Sequence, residues 1–411
     1  GFWKNVSLRK FTNYPFWCLE KWVSKLNEKT KIAIALYARF PTEMAYGNHV
    51  IQIAKAFTKN NCEVNIYYPE TYNSKTLDVS PEVFYGVLEN VKYIMVKNRD
   101  ITSYKIYDLL PKVLRKLFFS VNTLIWSRKL RKNNNEQFLW STNPNILSVA
   151  QKFFTNIIYE KHGEAKYIQK ISISRLKNNK NALLIGVTKE SFKQLSKNFS
   201  KTLYLPNGVD EELFFPQQTT NGDEITIGYL GMLETYGVDK GVLDAVVKIE
   251  ELNSQYSINT KIIGGPKNKL NEIKTLVSNS RYKDKYYIDD FVSHKDVPSF
   301  ISQFDIGIVP YPDSKHMSKY ASPMKIFEMA ACGVPILASN IQSHMELDDL
   351  DLGIIYFEHG NFLDFSNKLE MLITSESLRK ELSNKSLGNI KNLFWKIRIE
   401  KILSSARSST G

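Results

Sequence analysis

Residues 322–339 read SPMKIFEMAACGVPILAS. Ser322 is a good N-cap, and Pro323 suits a first helical position, where its missing N–H is no loss. Gly333 supplies a helix stop, and Pro335 opens a short apolar run. The spacing predicts a helix over about 323–332 and a buried strand after it. The preceding DIGIVPY, 305–311, is another apolar run of strand length. Strand, helix, strand with apolar strands is the pattern of a parallel sheet covered by helices. Two residues sit oddly in it. Lys325 falls in the first turn, where the helix dipole is already positive. Glu328 lies in an otherwise apolar helix, and a carboxylate there needs a partner.

The same rhythm extends in both directions. KIAIALY (31–37), EVNIYY (63–68), KYIMVK (92–97), QFLWS (137–141), NIIYE (156–160), ALLIGV (182–187) and TLYLP (202–206) are strand-like runs, most of them separated by helical spacing. Turn residues interrupt the pattern at 206–224, PNGVDEELFFPQQTTNGDE, which reads as a domain junction. ITIGYLG (225–231), TKIIGG (260–265) and YYIDDFV (286–292) then resume it, and a helical tract closes the chain at 376–407. The expectation is an α/β protein of two tandem doubly wound, Rossmann-like domains. Ligands of such sheets bind at the carboxyl ends of the strands, here in the cleft between the domains.

The chain has 411 residues, of which 43% are hydrophobic, enough to bury two cores. A net charge of +13 favours anionic partners, while no zinc-finger or RNA-recognition signature points to nucleic acid. The three cysteines, Cys18, Cys62 and Cys332, are far apart, which fits a reducing compartment and offers no zinc spacing. No apolar run is long enough to span a bilayer. Residues 1–30 are aromatic and basic together, and read either as a helical cap on the following domain or as an interfacial membrane segment. Residues 109–132, LLPKVLRKLFFSVNTLIWSRKLRK, carry basic clusters at both ends of an apolar stretch. That suits an anionic membrane surface, or a surface helix whose apolar stripe faces its own domain.

A helix start at the carboxyl end of a strand is a ready anion site. Lys325 there supports a bound phosphate, and Glu328, three residues on, is placed to accept from hydroxyls, as an acidic residue does with ribose. The competing reading is a plain Lys325–Glu328 pair. GYLGMLETYGVDKG, 228–241, adds Gly228, Gly231 and Lys240 before another helix start, without a full phosphate-loop pattern.

Taken in order, these pieces resemble the family-4 retaining glycosyltransferases of GT-B fold, the group 1 glycosyl transferases. FPTEMAYGNHVIQIAKAF (40–57) resembles the family's acceptor-side loop and helix, so Gly47 would allow close backbone approach there. IIYEKHGE (157–164) puts His162 at the active-site histidine position. LPNGVDEELFFP resembles the interdomain signature, and Lys240 the diphosphate-binding lysine. VSHKDVPSFISQFDIGIVPY and residues 322–339 resemble the donor-binding stretch, which implicates Ser322, Met324, Lys325, Glu328 and, from the glycine loop, Gly231. NLFWKIRIEKIL resembles the terminal helix that crosses back. The implied organisation is an extension at 1–30, an acceptor domain at 31–207, a nucleotide-sugar domain at 208–389 and a returning helix at 390–411. Two positions depart from the pattern: Tyr320 stands where a second carboxylate is usual, and Met232 where an arginine is usual.

The resemblance implies transfer of a sugar from a nucleoside-diphosphate sugar, with retention, to a glycan or lipid-linked acceptor. His162, Lys240 and Lys325 would be catalytic, with no metal and no other cofactor. The expected location is the cytoplasm, with peripheral contact to the inner face of an anionic plasma membrane. A sugar-nucleotide epimerase of similar fold, or a non-catalytic sugar-nucleotide or membrane-binding protein, are the rival readings.

Overall fold

The alternating apolar runs become two parallel sheets in the computed structural model, which describes residues 29–42, 44–71, 78–98, 104–130, 136–217 and 224–408. The anticipated extension, up to residue 28, lies outside the described residues. The first sheet uses β1 (Thr30–Ala35), β2 (Cys62–Pro69), β3 (Val91–Val96), β4 (Phe138–Ser141), β5 (Asn156–Lys161), β6 (Ala182–Gly186) and β7 (Thr202–Tyr204), in the order β3-β2-β1-β4-β5-β6-β7. The second uses β8 (Ile225–Met232), β11 (Ile258–Gly265), β12 (Tyr286–Asp289), β13 (Ile306–Val309), β14 (Ile336–Ser339) and β15 (Ile354–Phe357), in the order β12-β11-β8-β13-β14-β15. A small antiparallel hairpin, β9 (Glu234–Thr235) and β10 (Val238–Asp239), follows β8. Strand order reverses beside β1 in one sheet and beside β8 in the other, so each has a crevice at its switch point. This is the two-sheet GT-B architecture.

Helices that bear on the site are α1 (Ala45–Lys59), α2 (Lys112–Ser127), α3 (Tyr167–Arg175), α4 (Lys189–Ser196), α5 (Val242–Leu252), α6 (Met324–Ala331), α7 (Glu376–Asn389) and α8 (Trp395–Arg407). Helix α8 crosses from the second sheet to the first. Its Trp395, Ile399, Ile402, Leu403 and Ala406 join the apolar core of β1, β2 and α1. A backbone bridge between Val209 and Phe394 marks the crossing: Val209 N–H donates to Leu393 and Trp395 N–H to Val209. Gly208 makes this close approach possible, since a Cβ there would stand 2.6 Å from the Trp395 ring.

Two local expectations need correction. Ser322 does not cap α6: Pro323 holds the cap position without a side-chain bond, and Ser322 Oγ accepts from the junction amide of Asn207 at 3.2 Å. The hinge backbone has taken the hydroxyl the helix would have used. The terminal helical tract is broken by a 3-10 turn at Ile390–Leu393 into α7 and α8, because the chain must turn there to cross. Strand β15 and the two-residue strands of the hairpin are not among the predicted runs.

Helix α2 reverses the usual distribution. It buries Asn122, Thr123, Trp126 and Ser127, while Val113, Leu117, Val121 and Ile125, spaced four apart, are exposed. The apolar residues of 109–130 are therefore divided: Phe119, Trp126 and Leu130 face the core of their own domain, and the Val113–Ile125 stripe faces outward. Among the described residues, no helix is long and apolar enough to cross a membrane.

Candidate active site

The second-domain wall is built around the start of α6. Lys325 Nζ donates to Glu328 Oε2 at 2.8 Å, so the pairing weighed from the spacing is present. Glu328 is buried and Lys325 about one quarter exposed. Gly231, at the end of β8, has φ +147, and a Cβ on it would stand 3.1 Å from Lys325 Cε. Its neighbour Gly264 has φ +155, and a Cβ there would stand 1.7 Å from the Gly231 carbonyl oxygen. Both positions demand glycine, and together they let β8 and β11 end side by side beneath the lysine. Met324 packs against both apolar cores, placing the helix start on the seam between the domains.

Lys240 reaches the same crevice from the far end of the hairpin. Its Nζ lies 4.6 Å from the Tyr311 ring centroid and 3.4 Å from the Tyr311 hydroxyl. Its backbone N–H is held by Leu233, and Gly241, at φ +75, begins α5 against Pro310. Buried Tyr229 donates its hydroxyl to the Met232 carbonyl; the Tyr311 phenol adds to the burial that pushes Tyr229 up. His294 also belongs to this wall. Burial lowers its pKa, with Glu328 opposing and Lys325 reinforcing.

The first-domain wall is centred on a carboxylate. Glu160, at the end of β5, is fully buried. Burial pushes its pKa up, but the Arg398 guanidinium, the hydrogen bond from His162 and the nearby His49 imidazole hold it well below the usual range. It is therefore an acceptor only, and His162 Nε2 donates to its Oε1 at 2.7 Å. His49 Nε2 faces the same oxygen at 3.3 Å, without the alignment of a full hydrogen bond. The two imidazoles meet edge to face with centroids 4.8 Å apart. Arg398, on α8, donates to Glu160 Oε2 at 2.9 Å, to Pro206 at 2.6 Å and to Leu205 at 3.3 Å. One arginine thus ties the crossing helix, the domain junction and the histidine pair together.

His49, Glu160 and His162 offer ligand atoms within 4.8 Å of one another, a spacing that a metal ion could use. Arg398 already supplies the positive charge beside that carboxylate, so a cation would enter against it.

The two walls touch at several points. Thr188 Oγ1 donates to the Lys319 carbonyl at 2.8 Å, and the Lys189 amide to Glu346 at 2.6 Å. Tyr320 does not face Lys325; its hydroxyl accepts from Gln194 of the first domain at 3.0 Å. Gly47 is buried, and a Cβ on it would stand 2.4 Å from the Tyr85 hydroxyl, so its bareness serves packing against the loop at Thr42.

Lys325, Glu328, Gly231, Ser322 and Met324 thus gather at one helix start. Glu160, His49 and Arg398 were not singled out from the sequence. Arg398 had a signal: it is the one cation on the face of α8 that carries Trp395, Ile399 and Ile402. His49 stood within the acceptor-side stretch, two residues after Gly47.

Residues 210–387 match the family described as glycosyl transferases group 1. A search of curated protein sequences returned no significant match. Among solved structures, a glycosyltransferase from Rickettsia africae aligns with a TM-score of 0.69 at 15% identity, over 93% of this chain and 100% of that one. Sucrose-phosphate synthase from Thermosynechococcus elongatus aligns at 0.64 and 14% identity, over 93% and 100%. An Anabaena protein, HepE, solved with UDP and glucose, aligns at 0.62 and 12% identity, over 92% and 100%. These likenesses carry the fold, and the matched segment holds Gly231, Lys240, Lys325 and Glu328. The chain is thus a glycosyltransferase of GT-B fold whose residues 210–387, less than half of its length, match the group 1 glycosyl transferases.

Proposed function

We propose that the chain transfers a sugar from a nucleoside-diphosphate sugar to a glycan or lipid-linked acceptor, with retention at the anomeric carbon, in the synthesis of a surface polysaccharide or glycoconjugate. The observation that carries this reading is the Lys325–Glu328 pair at the glycine-backed start of α6. In the reading, the diphosphate takes Lys325 from Glu328, which is then free to accept from the ribose hydroxyls. Lys240 supplies a second cation. The HepE structure was solved with UDP, and a trehalose-6-phosphate structure from E. coli with UDP-2-fluoro glucose, which supports a nucleotide-sugar donor.

The chemistry follows from charge. The C1–oxygen bond to the diphosphate breaks, and negative charge grows on the leaving phosphate beside Lys240, Lys325 and the α6 dipole. The acceptor oxygen bonds to C1 from the same face, and its proton passes to the departing phosphate oxygen. His162, its Nε2–H committed to Glu160, presents a ring of fixed orientation to the sugar or acceptor from the facing wall. No step calls for a metal, and Arg398 fills the cationic place beside Glu160. EDTA should leave the rate unchanged, and recovery of lost activity by a divalent metal would overturn that part.

The test is a screen of nucleoside-diphosphate sugars with glycan and lipid-linked acceptors. Release of free nucleoside diphosphate only when acceptor is present, with the product's anomeric configuration matching the donor's, is the expected result. No turnover with any donor would overturn the reading.

The exposed apolar stripe of α2, with Lys112, Lys116 and Lys129 at its ends, supports a peripheral seat on an anionic membrane. Binding to anionic liposomes that weakens with salt is expected. Equal absence of binding to anionic and neutral liposomes would remove the membrane from the account.

A further inference from the structure

A second concave site lies in the first domain, apart from the crevice. A cavity of about 430 Å³ opens between α3, α4 and the loop after β5, and Tyr320 of the second domain lines one side of it. That volume falls among small-molecule sites, about 300–1,000 Å³. Strand alternation puts it on the other face of the sheet from Glu160. Ile158 faces the core shared with α8, whereas Ile157 and Tyr159 face the core of Leu176 and Leu195, and Lys161 follows the second set.

The lining is cationic. Lys161, Lys170 and Lys177 border the cavity, with Glu164 the one carboxylate among its lining residues. Both Glu164 oxygens accept from Lys315 at 2.9 Å, so its charge is already offset. Lys177 donates to the neutral amide oxygen of Asn198 at 2.9 Å, its one hydrogen-bond partner among the described residues. Lys161 is 2% exposed, and its ammonium donates to the Gly163 carbonyl at 2.5 Å and lies 5.5 Å from the Tyr320 ring centroid. An ammonium has three donors, and burying it with one strong acceptor is unfavourable unless an anion completes the set. Glu164 and Glu190 attract the Lys161 ammonium from a distance and Lys170 repels it, but neither carboxylate hydrogen-bonds to it among the described residues.

We infer that this cavity receives the phosphate of a phosphorylated ligand, held by Lys161, Lys170 and Lys177. The inference does not depend on the sugar-transfer reading. Because Tyr320 comes from the second domain, occupancy would also bear on how the domains meet.

Lys161 offers its own probe, since burial lowers its pKa to about 8. Pyridoxal 5′-phosphate, a phosphorylated aldehyde, should condense with the Lys161 amine at pH 8, releasing water, and borohydride should fix the imine for peptide mapping. Lys161 should label ahead of the exposed lysines. Inorganic pyrophosphate at about ten times its Kd should slow labelling about tenfold. The Lys170→Gln/Lys177→Gln variant, altered only at exposed positions, should lose that protection. A Lys240→Ala/Lys325→Ala background should keep it, which separates this site from the crevice. Phosphatidylglycerol vesicles form a parallel arm. Protection by pyrophosphate assigns a free phosphorylated ligand, and protection by vesicles alone assigns a lipid headgroup; either upholds the site. Labelling of Lys161 no faster than of other lysines, or protection by neither, would overturn it.

Discussion

Two buried carboxylates, one on each wall of the crevice, answer their cations in opposite ways. Glu160 meets Arg398 with both side chains at 1% exposure or less, and every partner of that arginine is fixed: a carboxylate and two junction carbonyls. Glu328 meets Lys325 through one hydrogen bond between residues a single turn apart, and the lysine is 24% exposed. The first pair is closed. Breaking it leaves a charge with no route to water, so it orders the fold. The second pair is open on one side, and a phosphate can take the lysine without unfolding anything. The same chemistry gives a strut in one place and, in the reading proposed above, a receptor in the other, and access to solvent makes the difference.

The largest effect should come from the closed pair. Arg398→Met should destabilise the protein by about 3–5 kcal/mol in denaturant unfolding, since it strands buried Glu160. Arg398→Lys should restore part of that loss. A loss under about 1 kcal/mol would mean that Glu160 finds water or another donor. The open pair should fail in rate instead. Lys325→Ala should lower kcat by about 100- to 1,000-fold while lowering the thermal midpoint much less than Arg398→Met does. A variant that unfolds but turns over normally would reverse the comparison.

A buried group without any charge partner sharpens it further. His344 in the second domain is fully buried, its Nδ1 donating to the Ser339 carbonyl at 2.8 Å. Burial pushes its pKa from 6.5 down to about 4. The folded state thus favours the neutral ring, so its stabilisation is fully present above about pH 6.5. As pH falls towards about 4 the unfolded state binds one more proton, and up to about 3 kcal/mol is lost. His344→Gln should flatten that slope in pH-dependent unfolding, and an unchanged slope would assign it elsewhere. The smallest effect is expected at the exposed interdomain pair of Lys315 and Glu164, where Lys315→Ala should leave the midpoint unchanged.

Much of the fold was legible because its strands are short apolar runs separated by helical spacing, the one signal a buried parallel sheet writes plainly. The placement of Gly231, Lys240 and the Lys325–Glu328 turn was legible for the same reason: they sit beside strand ends, which local spacing marks. Glu160 and Arg398 are 238 positions apart. Neither residue is unusual locally, and only the crossing of α8 brings them together. Ser322 was misread as a cap because its competing partner, the Asn207 amide, lies 115 positions away. Tyr320 marked a missing carboxylate in the sequence, yet its destination, Gln194 across the seam, depends on how the two domains meet.

Binding of nucleoside diphosphates to the parent and to Lys325→Ala, followed by calorimetry with the matching nucleoside as control, tests the open pair most directly. The account predicts that one nucleoside diphosphate binds the parent much more tightly than its nucleoside, and that Lys325→Ala removes most of that advantage. Equal binding by parent and variant, or no preference for the diphosphate, would contradict it.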